Sequence, residues 1–126
     1  MINALFSQAG YETAKKMMDV TALRHEAIAS NIANFETPNY KRIDLSPNFE
    51  SSLQQALTSA DPNAVQSLQP ALSVDANAIS QSQDGNTVNL EDELLALSQN
   101  TLMHGLETQL VTGEMLKLRL AITGHA

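Results

Sequence analysis

The chain has 126 residues and a formal net charge of −7, with 4% aromatic residues and neither cysteine nor tryptophan. The length allows one domain. The absence of cysteine excludes disulfides and thiolate metal sites. Seven basic residues, adjacent only at Lys15-Lys16 and Lys41-Arg42, exclude the clustered positive charge that nucleic acid requires.

The apolar fraction is carried by Ala, Leu, Met and Ile, which favour helix over strand. Residues 2–9 are mildly apolar at Ile2, Ala4, Leu5 and Phe6 and suit the beginning of a helix that Gly10 is expected to interrupt. They have no basic leader, so no cleaved signal peptide is expected. No apolar run in the chain is long enough to span a bilayer.

The first long helix is predicted over residues 11–34. Its stripe is Ala14, Met17, Met18, Thr21, Ala22, His25, Ile28, Ala29 and Ile32, dominated by steps of three and four, as in a coiled-coil seam. Ala29 and Ala33 would let another helix approach closely. Asn31 and Asn34 have two readings. In one, Asn34 terminates the helix and Asn31 faces solvent; in the other, they bond across a helix interface and fix its register. Thr37-Pro38 stops the helix, because proline restricts its predecessor and cannot continue the backbone pattern. Tyr40 then offers a ring with a polar tip, suited to pinning the turn onto a helix.

Residues 35–88 read as turn, extended and loop segments. Ile43 and Leu45 mark a short extended piece, Pro47 breaks it, and residues 51–60 suit one or two turns of helix. Residues 61–86 are too polar to hold a core of their own and are expected to lie on something else. Asp84-Gly85-Asn86 signals a turn, with a hairpin as one form.

The second helix is predicted over residues 89–123, with Asn89 as its N-cap, Glu91, Asp92 and Glu93 in the first turn, and Gly124 as its stop. One stripe is Leu94, Leu97, Thr101, His104, Thr108, Val111, Met115, Leu118 and Ile122. A second is Leu95, Leu102, Leu106, Leu110, Leu116 and Leu120. Two stripes need two partner surfaces. Length agrees: about 50 Å for this helix exceeds about 36 Å for the first, at 1.5 Å per residue. The first helix cannot cover the second, and the remaining apolar surface is expected to meet other copies or other proteins. Lys117 and Arg119 suit the closing turns. Gly105 and Gly113 cost roughly 1 kcal/mol each relative to Ala, consistent with a helix completed by assembly.

Catalytic chemistry has no visible constellation. His25 and His104 fall on helical seams and His125 in the tail, without an HExxH partner or an acid at ligand spacing. There is no glycine-rich phosphate loop or serine nucleophile elbow. The expectation is no enzyme activity, no cofactor and no metal.

Three stretches carry a family resemblance. Residues 29–34, ASNIAN, followed by residues 37–41, TPNYK, resemble the N-terminal signature of bacterial flagellar rod, hook and related axial proteins. Residues 84–93, DGNTVNLEDE, and the ending at residues 116–122, LKLRLAI, are similar to the short proximal members of the flagellar basal-body rod protein family. Asn39 stands where the family usually has Gly, and Asn also tolerates a left-handed turn.

The resemblance implies a mainly α fold: long N- and C-terminal helices packed as an antiparallel coiled-coil-like core domain, with an irregular, extended polar middle segment. It implies a structural subunit of the proximal rod, assembling helically to transmit torque. The implied partners are other copies of itself, other flagellar rod proteins, the rod-base adaptor and the membrane ring. It also implies delivery to the periplasm by the flagellar type III export apparatus. The residues expected to carry assembly and packing are Ile28, Ala29, Asn31, Ile32, Ala33, Asn34, Thr37, Pro38 and Tyr40 at the first helix and turn. On the second helix they are Leu94, Leu97, Leu102, Leu110, Val111, Met115, Leu118 and Ile122. The rival reading is an acidic helical type III secretion chaperone or adaptor, which should show a globular core with strands.

Overall fold

The computed structural model describes residues 2–124, with side chains from residue 10 onward. His125 lies outside the described residues, as do the side chains of Ile2, Ala4, Leu5 and Phe6. Five elements follow in order: α1 (Ile2–Ala33), β1 (Ile43–Leu45), α2 (Asn48–Thr58), β2 (Leu72–Val74) and α3 (Leu90–Thr123).

α1 and α3 run antiparallel. Thr21 lies opposite His104 and Glu107, and ten residues further along α1 Asn31 lies opposite Glu93. The fold is therefore the mainly helical pair that the periodicity and resemblance indicate, with a small β1–β2 clip at one end. The clip is antiparallel, pairing Ile43 with Val74, Asp44 with Ser73 and Leu45 with Leu72.

Three expectations need correction. First, α1 begins at Ile2, not near Tyr11, because Gly10 does not interrupt it. Gly10 is exposed, and a Cβ there would meet nothing within 4 Å. Its cost is conformational, about 1 kcal/mol, and a 32-residue helix tolerates it.

Second, the buried face of α1 matches the expected stripe only at Ala14, Thr21 and Ile28. Ala14, Val20, Thr21, Ala27, Ile28 and Asn31 are buried, whereas Ala22, His25 and Ala29 are exposed. The helix turns its polar Thr21 and Asn31 inward because α3 supplies polar partners for them. Third, the turn at Asp84-Gly85-Asn86 forms, with Gly85 at φ +80°, but it does not connect a hairpin: β1 pairs with β2. The turn packs instead against the segment that follows α1.

The polar middle lies on the helices. Lys16 Nζ donates to the backbone carbonyls of Leu68 at 2.8 Å and Gln66 at 3.2 Å, and Phe49 of α2 is buried. α3 is capped as its sequence indicates. Asn89 Oδ1 accepts from the amides of Glu91 and Asp92, and Gly124 at φ +73° closes the helix. Its last turn contains no base, so Lys117 and Arg119 sit further in than the dipole argument expects. No described helix is long and apolar enough to cross a membrane.

Candidate functional site

The contact between α1 and α3 is polar at its centre. Glu93, Asn100 and Glu107 are the buried residues of α3. They recur every seven residues, the spacing that keeps a helix facing one partner. Asn100 Nδ2 donates to the Thr21 carbonyl at 2.9 Å, and Thr21 Oγ1 donates to Glu107 Oε2 at 2.8 Å. Thr21 Oγ1 also lies 3.0 Å from His104 Nδ1. Burial pushes the Glu107 carboxyl above its usual range, opposed by the Thr21 hydrogen bond and by His104.

At the other end of the seam, Asn31 is fully buried and bonds like a peptide group. Its Nδ2 donates to the Ile43 carbonyl at 2.8 Å and to Glu93 Oε2 at 3.3 Å, while its Oδ1 accepts from the Ile43 amide at 3.0 Å. One side chain thus joins α1, β1 and α3. Tyr40 Oη reaches back to Asn31 Oδ1 at 3.2 Å and to Ser30 Oγ at 2.9 Å, tying the turn to α1.

Arg42 completes this end. Its guanidinium bonds Glu93, and it pairs with Asp75 at 2.8 Å and Asp44 at 3.1 Å. Burial works against the Arg42 charge, but Glu93 and Asp44 outweigh it and hold the group above its ordinary value. Arg24 adds a second positive charge, 3.4 Å from Asp44. Two arginines thus face three acidic side chains, and Arg42 supplies the paired positive charge that a buried acid such as Glu93 requires.

Two of the three stretches that carry the family resemblance interlock. Asn34 Nδ2 caps its own helix by donating to the Ser30 carbonyl at 2.8 Å, and Thr37 Oγ1 donates to Asn34 Oδ1. Asn86 is buried, and its Nδ2 donates to the carbonyls of Asn34, Phe35 and Thr37. Asn39, at φ +60°, donates its amide to the Asp84 carbonyl at 2.9 Å. Asp84 accepts from Ser82 and from the Asn86 amide, which hold its carboxyl below its usual range. Gly85 takes φ +80°, a conformation that disfavours L side chains, and a Cβ there would also force the exposed Asn39 side chain, 2.7 Å away at Oδ1, to shift.

The residues singled out from sequence fall into two groups. Ile28 and Asn31 are buried; Ile32, Asn34, Tyr40, Leu97, Val111 and Leu118 are half-buried. Ala29, Ala33, Thr37 and Pro38 are exposed. So are Leu94, Leu102, Leu110, Met115 and Ile122, with Leu102 at 76% and Ile122 at 84%. The two leucine-bearing stripes of α3 therefore remain largely outside its contact with α1.

Sequence reasoning missed Glu93, Asn100 and Glu107 as contact residues because it sought apolar stripes. Their seven-residue spacing, continued at Glu114, was the available signal. It also missed Asn86 and Arg42, whose roles depend on segments distant in sequence. Among the described residues, no three His, Asp or Glu side chains gather as a metal cluster.

No protein-family profile matches the chain. It is similar to the flagellar basal body rod protein FlgB of Borreliella burgdorferi, 34% identical over 110 residues that cover 74% of this chain and 80% of the relative. The protein of the same name from Aquifex aeolicus is 30% identical over 119 residues, covering 93% of this chain and 95% of the relative. That of Aeromonas hydrophila is 30% identical over 118 residues, covering 86% and 88%. The chaperone reading finds no support among these relatives. An antiparallel helical pair, two interlocked signature turns and this extent of similarity to rod proteins lead to one conclusion: the chain belongs to the flagellar basal body rod protein FlgB family.

Proposed function

We propose that this chain is a structural subunit of the proximal rod of the flagellar basal body, stacking with other copies of itself and with other rod proteins to transmit torque. The observation that carries the proposal is the outward face of α3. Leu94, Leu95, Leu102, Leu106, Leu110 and Leu116 are each about half exposed or more, while the inward face is held by polar bonds. Isolated exposed leucines are ordinary, but a run of them along a 34-residue helix marks a contact surface.

The role asks for stiffness and interlocking surfaces, and no step of it needs catalysis. The rod-base adaptor, the membrane ring and the type III export apparatus are the remaining partners in this reading. The rod crosses the periplasm, and export through the flagellar apparatus would deliver the chain there.

Leu102→Asp tests the reading. Leu102 is 76% exposed, so the substitution should change the free chain's stability by no more than about 0.5 kcal/mol. Motility should nevertheless be lost in a strain whose only copy carries it. Retained motility, with normal expression, would contradict the proposed contact surface.

A further inference from the structure

A groove of about 700 Å³ runs between α1 and α3. Met17, Val20, Arg24 and Ile28 line it from α1, at steps of three, four and four; Met103 and Leu106 line it from α3. Two helices that turn such stripes to the same side form two walls of a coiled-coil seam, and a third helix with leucines at matching spacing fits between them.

The groove also has a chemical preference. Glu107 lies along it and is only 4% exposed. Its Oε2 accepts from Thr21, while its Oε1 is buried without a hydrogen-bond partner. A buried carboxylate oxygen left in this state is costly, and a cation arriving with the third helix would relieve that cost.

We propose that the groove receives the C-terminal turns of α3 from a second copy of the chain. Leu116 and Leu120 seat against Met103 and Leu106, and Arg119 is directed at Glu107. This inference rests on the rod-subunit reading. A second copy is the occupant because α3 itself carries the complementary surface: Leu116, Arg119 and Leu120 share one helix face at i, i+3 and i+4. The leucines are 54% and 42% exposed, and Arg119 is exposed as well.

The receiving and inserting surfaces lie at different positions on α3. The contact is therefore heterologous, each copy's tail meeting the next copy's middle. Such a contact propagates as an open-ended stack unless its rotation closes a ring.

The lack of cysteine makes the test clean. Leu106→Cys and Leu120→Cys are introduced together in the full chain, hook–basal bodies are purified and oxidised, and the chain is followed on a non-reducing gel. The expected result is a ladder of dimers and higher multiples from the double variant, with monomers from either single variant. A second pair, Met103→Cys with Leu116→Cys, should give the same ladder and guards against poor assembly of the first. In the cross-linkable background, Arg119→Glu should lower the ladder yield by about tenfold or more, while Arg119→Lys retains it.

The proposal is overturned if both pairs yield only monomers, if a single variant dimerises, if the adduct is with a different rod protein, or if Arg119→Glu leaves the yield unchanged. Absence of the unsubstituted chain from purified basal bodies would instead overturn the rod-subunit reading on which the proposal rests.

Discussion

At the scale of single residues, the fold depends on polar side chains that act as substitutes for backbone. Asn31 completes hydrogen bonds for the Ile43 peptide groups, and Asn86 satisfies three carbonyls in the turn after α1. Asn86→Ala would remove all three bonds from a buried site, at a cost of about 2–3 kcal/mol. Urea denaturation of the isolated chain should show the corresponding fall in midpoint; an unchanged midpoint would mean that the interlocked turns contribute little. Glu107 behaves differently. Its carboxyl is raised by burial, against the Thr21 bond and nearby His104. Between the ordinary carboxylate range and that raised value, the folded chain keeps a proton that the unfolded chain has released. This contribution to stability is fully present below the ordinary carboxylate range and is lost as pH rises through the folded-state value. Glu107→Gln should accordingly stabilise the chain near neutral pH, with the gain shrinking towards about pH 4. Thermal melts of the two proteins across that range measure the difference, and a gain that widens at low pH would contradict the assignment.

At the scale of elements, α3 has a covered half and an open half. Its buried residues end at Glu107, while the helix continues to Thr123. Few buried contacts leave the last turns dependent on local helix stability. Hydrogen exchange of the isolated chain should therefore show amides after about residue 110 exchanging at least tenfold faster than those near Asn100, with the difference removed inside basal bodies. Uniform protection along α3 in the isolated chain would contradict this division. The existence of both long helices, the Asn89 cap and the Gly124 stop were legible in the sequence, because periodicity and capping are local. The stop after α1 was equally legible at Thr37-Pro38. The face that α1 presents was legible only in part. Apolar periodicity pointed correctly to Ala14, Thr21 and Ile28 but also to Ala22, His25 and Ala29, which are exposed, and it passed over Val20 and Ala27, which are buried. The start of α1 was missed because Gly10 is a weak breaker when it is exposed within a long helix. The β1–β2 clip could be anticipated only as an extended piece at Ile43 and Leu45, since its pairing joins segments separated by α2.

At the scale of the whole molecule, the chain combines a polar internal seam with an apolar exterior on α3. The buried apolar residues among those described are Ala14, Val20, Ala27, Ile28 and Phe49, a small core for 126 residues. Polar bonds at Glu93, Asn100 and Glu107 supply register, while the leucines outside supply surface for neighbours. Family membership agrees with that division, as does the meeting of two of its signature stretches at one end of the helical pair. On the proposed reading, neighbours in the flagellar rod cover this surface. Quantitative mass spectrometry of purified hook–basal bodies tests it most directly, comparing cells that carry the unsubstituted chain with cells that carry Leu102→Asp. A fixed small number of copies per particle is expected for the first and at least about tenfold fewer for the second, because an unpaired carboxylate buried in a packed contact costs about 3 kcal/mol or more. Equal amounts of both in the particles would contradict the role assigned to the leucine face, and absence of the unsubstituted chain would contradict the rod assignment itself.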